Sequence, residues 1–203
     1  ANGEQQDALV SGMTEKHHLK VFSNTKNGFL GQYNLTEFGH SMTIKKDHVE
    51  TKVSFAGKDF AAFDAEKEIS TLNEQLSALS NPQNFDAARI PVIIRPAALW
   101  EFYMFMMWMM NRRQADEGLT AFTDQLCKKF LGDKFTLMST LSMPEVITSP
   151  YSWDNVVSKE TYWVKNGVVE TMPTPRYWAK MKNLTPASPF NIYIPGGDTT
   201  EEE

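Results

Sequence analysis

The side chains best suited to hold a metal ion or attack a substrate are few: His17, His18, His40, His48 and Cys127. Neutral imidazole is a common metal ligand, and Asp47 beside His48 could add a carboxylate. The histidine spacing matches no ordinary zinc pattern, however. In an extended segment the adjacent His17 and His18 point to opposite faces. The expectation is solvent-facing histidines on strand ends and turns, with no metal site and no cofactor. Cys127 is followed by Lys128 and Lys129, and cationic neighbours lower a thiol pKa. A nucleophile also needs a base, and no histidine lies near it in sequence. Cys127 is therefore read as a small buried or half-buried thiol.

Motifs with a built-in mechanism are missing. The chain has no G-x-x-x-x-G-K-[ST], no G-x-G-x-x-G, no H-E-x-x-H and no G-x-S-x-G. Ser23-Asn24-Thr25-Lys26 has the S-x-x-K spacing of serine acyl enzymes, but it leads into an Asn-Gly turn instead of opening a helix. Asp64, Glu66 and Glu68 cluster where a helix begins, and acids there already have a structural reason to exist. No carboxylate pair can be singled out for acid–base work, so no catalytic residue is assigned. The sequons at Asn34 and Asn183 are matches that chance readily supplies.

Large apolar side chains are the other candidates. Ala97 to Met110 holds five methionines, one tyrosine, two phenylalanines and two tryptophans, and only Glu101 interrupts its apolar character. Long unbranched side chains favour helix, and Pro96 suits the first helical position. A helix apolar nearly all round belongs inside a protein or a membrane. This one is too short to span a bilayer, which takes about 17–25 apolar residues, and Asn111-Arg112-Arg113 ends it. With Glu101 and Arg112 on the wet side, helical spacing puts Glu101, Phe105, Trp108 and Arg112 on one face. That stripe is the expected partner-binding site: aromatic anchors rimmed by charge, with the remaining helix faces in the core. A second aromatic surface is expected from Trp153, Trp163, Tyr177 and Trp178.

The elements that would position these residues read as follows. Leu19–Lys26 and Phe29–Leu35 flank Asn27-Gly28, and Asn-Gly is a strong hairpin signal. Met42–Ile44 and the alternating Val49, Thr51, Val53 and Phe55 make a second pair of strands. Ile69, Leu72, Leu76 and Leu79 form one face of a helix that Asp64 caps and Asn81-Pro82 stops. Ile90–Arg95 reads as a strand. After the methionine helix, Arg112 and Arg113 can pair with Asp116 and Glu117 at i,i+4. Leu119, Phe122, Leu126 and Phe130 predict a second helix closed by Gly132. Phe135–Leu141 reads as a strand, and Asn166-Gly167 joins Thr161–Lys165 to Val168–Met172. A short helix holds Tyr177, Trp178 and Met181, and Phe190–Ile194 is a last strand. The fold class is α+β: a mostly antiparallel sheet of β-hairpins packed on a central pair of helices, one of them the methionine and aromatic core helix. The domain reading is a polar arm over 1–16, one domain over 17–195 and an acidic flexible tail over 196–203.

Charge narrows the function classes. The formal net charge is −5, and Asp198 with Glu201 to Glu203 supplies four of those charges, so the body is near neutral. Without a basic stripe, phosphate neutralisation of nucleic acid is not expected, nor is transmembrane insertion. The single cysteine rules out an intrachain disulfide but fixes no compartment, so localisation stays open between cytoplasm and export. The reading that follows is a non-enzymatic interaction or assembly protein: a subunit of a larger particle or an inhibitor-type binder, using protein partners or self-association. Its alternatives are a module binding a small apolar ligand between sheet and helix, and an enzyme without a recognisable local motif.

Overall fold

The computed structural model describes residues 8–197, apart from 81, 85, 87 and 144. The first seven residues of the expected arm and the tail from 198 onward lie outside the described residues, as does Asn81 of the expected helix stop. Two compact units form: Ala1–Val21 with Asn34–Pro91, and Phe22–Tyr33 with Val92–Glu203. The architecture is α+β with antiparallel sheets and few helices.

The first unit is built on a three-stranded sheet of order β1 (Leu9–Asn24), β2 (Leu30–Lys46) and β3 (Val49–Gly57). β2 and β3 pair antiparallel from Phe38↔Gly57 to Lys46↔Val49, leaving a two-residue turn in which Asp47 takes φ 53. β3 alternates as its sequence demands, with Val49, Thr51 and Val53 buried and Glu50, Lys52 and Ser54 exposed. Helix α1 (Ala65–Leu79) lays Leu72 and Leu76 on Ile44, Val49 and Val53. Asp64 caps it by accepting a hydrogen bond from the Lys67 backbone N–H at 3.0 Å, and the first-turn Glu66 and Glu68 suit the helix dipole. Thr51 and Gln75 are hydrogen-bonded between β3 and α1.

β1 differs from expectation. Residues 9–16, assigned to an arm, are its first half. Its side chains are exposed over most of its length, so no apolar alternation marks it; pairing with β2 defines it instead. The β1–β2 turn also differs from a two-residue Asn-Gly turn. Gly28 N–H bonds the Thr25 carbonyl at 3.0 Å and only Gly28 has positive φ, which is a three-residue loop with a glycine bulge. Ile90–Arg95 forms no strand; Ile90, Val92, Ile93 and Ile94 are exposed.

The second unit holds a sheet of order β4 (Leu137–Ser139), β5 (Thr161–Lys165) and β6 (Val168–Val169). Asn166 (φ 49) and Gly167 (φ 78) join β5 to β6 with positive φ at both central residues, as a type I′ turn requires. A Cβ on Gly167 would also collide with the Leu131 and Gly132 carbonyl oxygens. Trp163 and Val164 are adjacent on β5 and both fully buried, so this sheet is covered on both faces. The core around them includes Met107, Met110, Phe122, Leu137, Val169 and Met172. Tyr193 extends the sheet by a single bridge to Met138 where a strand over 190–194 is expected.

The central helix pair is not found. Helix α2 (Pro96–Met109) is followed only by the five-residue α3 (Arg112–Asp116), and residues 119–131 run as turns. Gly118, Asp124 and Cys127 all take positive φ, which no continuous helix allows. The backbone is bonded elsewhere: Cys127 N–H donates to Val169 O at 2.7 Å and Phe130 N–H to Gly167 O at 2.9 Å. The apolar spacing there serves a segment lying along the β6 hairpin. α2 is not a core helix either. Met107 is its one buried residue, while Trp100, Phe102, Met104, Phe105, Trp108 and Met109 are exposed. No helix among the described residues is long and apolar enough to cross a membrane.

Candidate functional site

The most organised polar cluster lies in the second unit, around α3 and α4 (Arg176–Lys182). Asn111 accepts hydrogen bonds from the Arg113 and Gln114 backbone N–H groups, so a new helix begins one residue after α2 closes at Met110. Arg112 Nε donates to Asp116 Oδ1 at 2.8 Å and Arg113 Nε to Glu117 Oε1 at 3.0 Å, the two i,i+4 pairs the spacing predicts. Trp178 on α4 donates its indole N–H to Asp116 Oδ2 at 2.8 Å. Arg113 and Lys182 both lie over the Trp178 ring, at 5.7 and 5.0 Å from its centroid. Burial by itself would raise the Asp116 pKa, but the hydrogen bonds from Trp178 and Arg112, with the charges of Arg112 and Lys182, outweigh it and hold the carboxyl below its ordinary value.

Beside this cluster is an open cavity of about 330 Å³, lined by Arg112, Asp116, Asp124 and Lys128 over the apolar Phe122 and Met172. Of its lining residues the apolar spacing over 119–131 signalled only Phe122 and Leu126, as one helix face, and so missed the pocket.

The expected partner stripe is interrupted. Glu101, Phe105 and Trp108 are exposed on α2, with the Phe105 and Trp108 ring centroids 6.4 Å apart. Arg112 belongs to α3 and is tied to Asp116, because the Asn111 cap breaks the helical phase. The expected aromatic surface also divides. Trp163 is in the core, its indole N–H donating to Ser139 Oγ at 3.0 Å. Trp178 is half-buried and Tyr177 exposed, while Trp153 is wholly exposed, at 101%. Trp153 stands on a turn that Arg176 holds by donating to the Asp154 and Asn155 carbonyl oxygens.

The histidines remain separate. His17 contacts Glu15 at 3.1 Å, His18 Thr36 at 3.1 Å, and His40 Thr14 at 2.8 Å, while His48 occupies the β2–β3 turn. Among the described residues no three His, Cys, Asp or Glu side chains are placed to hold a metal ion. Cys127 is exposed, not buried, on its left-handed backbone. Ser23, at the end of β1, donates to Asn155 Oδ1 at 2.6 Å and starts no helix.

An α+β chain of two antiparallel sheets, with its second half held around Trp163, is the class of protein these features define. The chain belongs to the PmbA/TldA metallopeptidase C-terminal domain family, whose pattern matches residues 87–203, more than half of the 203 residues. Solved structures of the same fold include a candidate modulator of DNA gyrase from Thermotoga maritima, at TM-score 0.81 and 14% identity over 95% of this chain and 48% of that one. A candidate DNA gyrase modulator from Bacteroides thetaiotaomicron matches at TM-score 0.79 and 13% identity, over 93% and 45% of the two chains. TldE from Thermococcus kodakarensis matches at TM-score 0.78 and 14% identity, over 98% and 50%. The chain thus spans about half the length of these neighbours. No curated protein matches it in sequence. The reading as a non-enzymatic interaction, assembly or structural protein, and its small-apolar-ligand alternative, are overturned by this match to a metallopeptidase family. The shortfall has a physical cause: none of the motifs with a built-in mechanism occurs in this chain, so no local residue pattern signalled the family.

The described residues do not fit a peptidase metal. All four histidines precede residue 49, outside the matched stretch, and that stretch offers carboxylates, tyrosines and Cys127 but no imidazole.

Proposed function

We propose that this chain is one component of a PmbA/TldA-type metallopeptidase, and that the side chains holding the metal lie on another stretch or subunit. The observation carrying this is the pairing of a metallopeptidase family match over 87–203 with a matched stretch that contains no histidine. Peptide hydrolysis with a zinc-type site takes about three protein ligands and an open position for water. The chain's part in such an enzyme is scaffold and substrate wall, built on the second unit's core. The exposed Phe105 and Trp108 of α2 are where the remainder of the enzyme would pack. The test is to isolate the tagged chain from its own cells with whatever it belongs to. The isolate should cleave unstructured peptides, and a chelator should stop it. An isolate without chelator-sensitive peptide cleavage contradicts the reading.

A further inference from the structure

The cavity beside α3 has the size of a small-molecule site, about 330 Å³, against roughly 300–1,000 Å³ for ligand pockets in general. Its floor is apolar, with Phe122 and Met172 buried in the second unit's core. Its charges are balanced: Arg112 and Lys128 against Asp116 and Asp124. Balance alone would suit a neutral ligand, but these charges are not equally committed. Asp116 is engaged at both oxygens, by Arg112 Nε and by Trp178 Nε1, each at 2.8 Å. It acts as the brace that fixes the Arg112 guanidinium plane, and a fixed planar fork is suited to a carboxylate. Lys128 adds a second cation to the lining, and Asp124 supplies a carboxylate outside the Arg112–Asp116–Trp178 bonds. A ligand with only one charge would pair with only one side of this lining. A ligand carrying both, on a short apolar body, satisfies each.

We infer that this pocket binds a free zwitterionic amino acid with an apolar side chain, its carboxylate on Arg112 and Lys128, its ammonium at Asp124, and its side chain on Phe122 and Met172. Such binding needs neither a metal nor a cleaved bond, so it stands or falls apart from the peptidase reading.

The probe is L-leucine, titrated calorimetrically into the full chain, with leucinamide, N-acetyl-leucine and glycine as comparisons. Leucine should bind. Removing its carboxylate or its ammonium should weaken binding at least about tenfold, as losing a charge-assisted hydrogen bond does. Glycine should bind more weakly than leucine. Lys128→Met and Asp124→Asn should each weaken leucine binding by about the same factor. Both residues are exposed and Asn tolerates the φ of 56 at position 124, so both variants should keep the parent unfolding midpoint. Absence of leucine binding overturns the inference. So does equal binding of leucine and its blocked derivatives, or leucine affinity unchanged in both variants.

Discussion

Helices α1 and α2 are similar in length, 15 and 14 residues, and opposite in how they use apolar side chains. α1 is mostly polar and buries Leu72 and Leu76 on a sheet that shares their unit. α2 is apolar almost throughout and buries only Met107. The difference teaches that the amount of apolar surface on a helix says little about where it sits; its arrangement says more. A stripe at i, i+4 selects one facing partner, and β3 provides it. A helix apolar on every face selects none, so its own unit can cover one side and leave the rest open. Trp100, Phe102, Met104, Phe105, Trp108 and Met109 are left exposed on α2, as are Val92, Ile93 and Ile94 before it.

Substitutions that should matter on one side of this comparison and not on the other can break it. The largest effect is expected at the core that α2 only grazes. Trp163→Ala should cost about 3–5 kcal/mol in urea unfolding, because a fully buried indole and its bond to Ser139 are lost together. Leu72→Ala should cost about 2–5 kcal/mol, read by hydrogen exchange of the first unit. Asp64→Ala should remove the α1 cap at about 1 kcal/mol. Asp116 contributes through pH. Its folded pKa is depressed, so its stabilisation is present above the ordinary carboxylate pKa and is lost as pH falls through the lowered folded value. Acid titration of Asp116→Asn should lack that loss, whereas the parent shows it. The smallest effect is expected on α2 itself. Trp108→Lys should change stability by no more than about 0.5 kcal/mol, since the side chain is 66% exposed. A variant that unfolds would place Trp108 in the core and dissolve the contrast between the two helices.

The sequence made local features legible and hid those that depend on a neighbour. The α1 cap, the alternation of β3, the Arg112 and Arg113 pairs and the Asn166-Gly167 turn all rest on residues within a few positions of each other. Residues 119–131 show the opposite. Leu119, Phe122, Leu126 and Phe130 have helical spacing, but Cys127 and Phe130 donate to the β6 hairpin, about forty residues away in the chain, and that ladder outweighs the local pattern. Trp163 is expected on an aromatic surface, whereas a sheet covered on both faces buries it with the adjacent Val164. β1 was hidden for a third reason: a strand exposed on both faces has no apolar period to betray it. Of the candidate site, the i,i+4 pairs could be read from spacing, while the bond from Trp178 to Asp116 spans 62 residues and could not.

The peptidase reading divides labour between a scaffold, the part it gives this chain, and a metal centre, which the described residues do not assemble. Equilibrium dialysis of the purified chain against zinc, with the bound metal measured by mass spectrometry, tests that division most directly. The account predicts no stoichiometric zinc on the chain alone. One tightly held zinc per chain would contradict it.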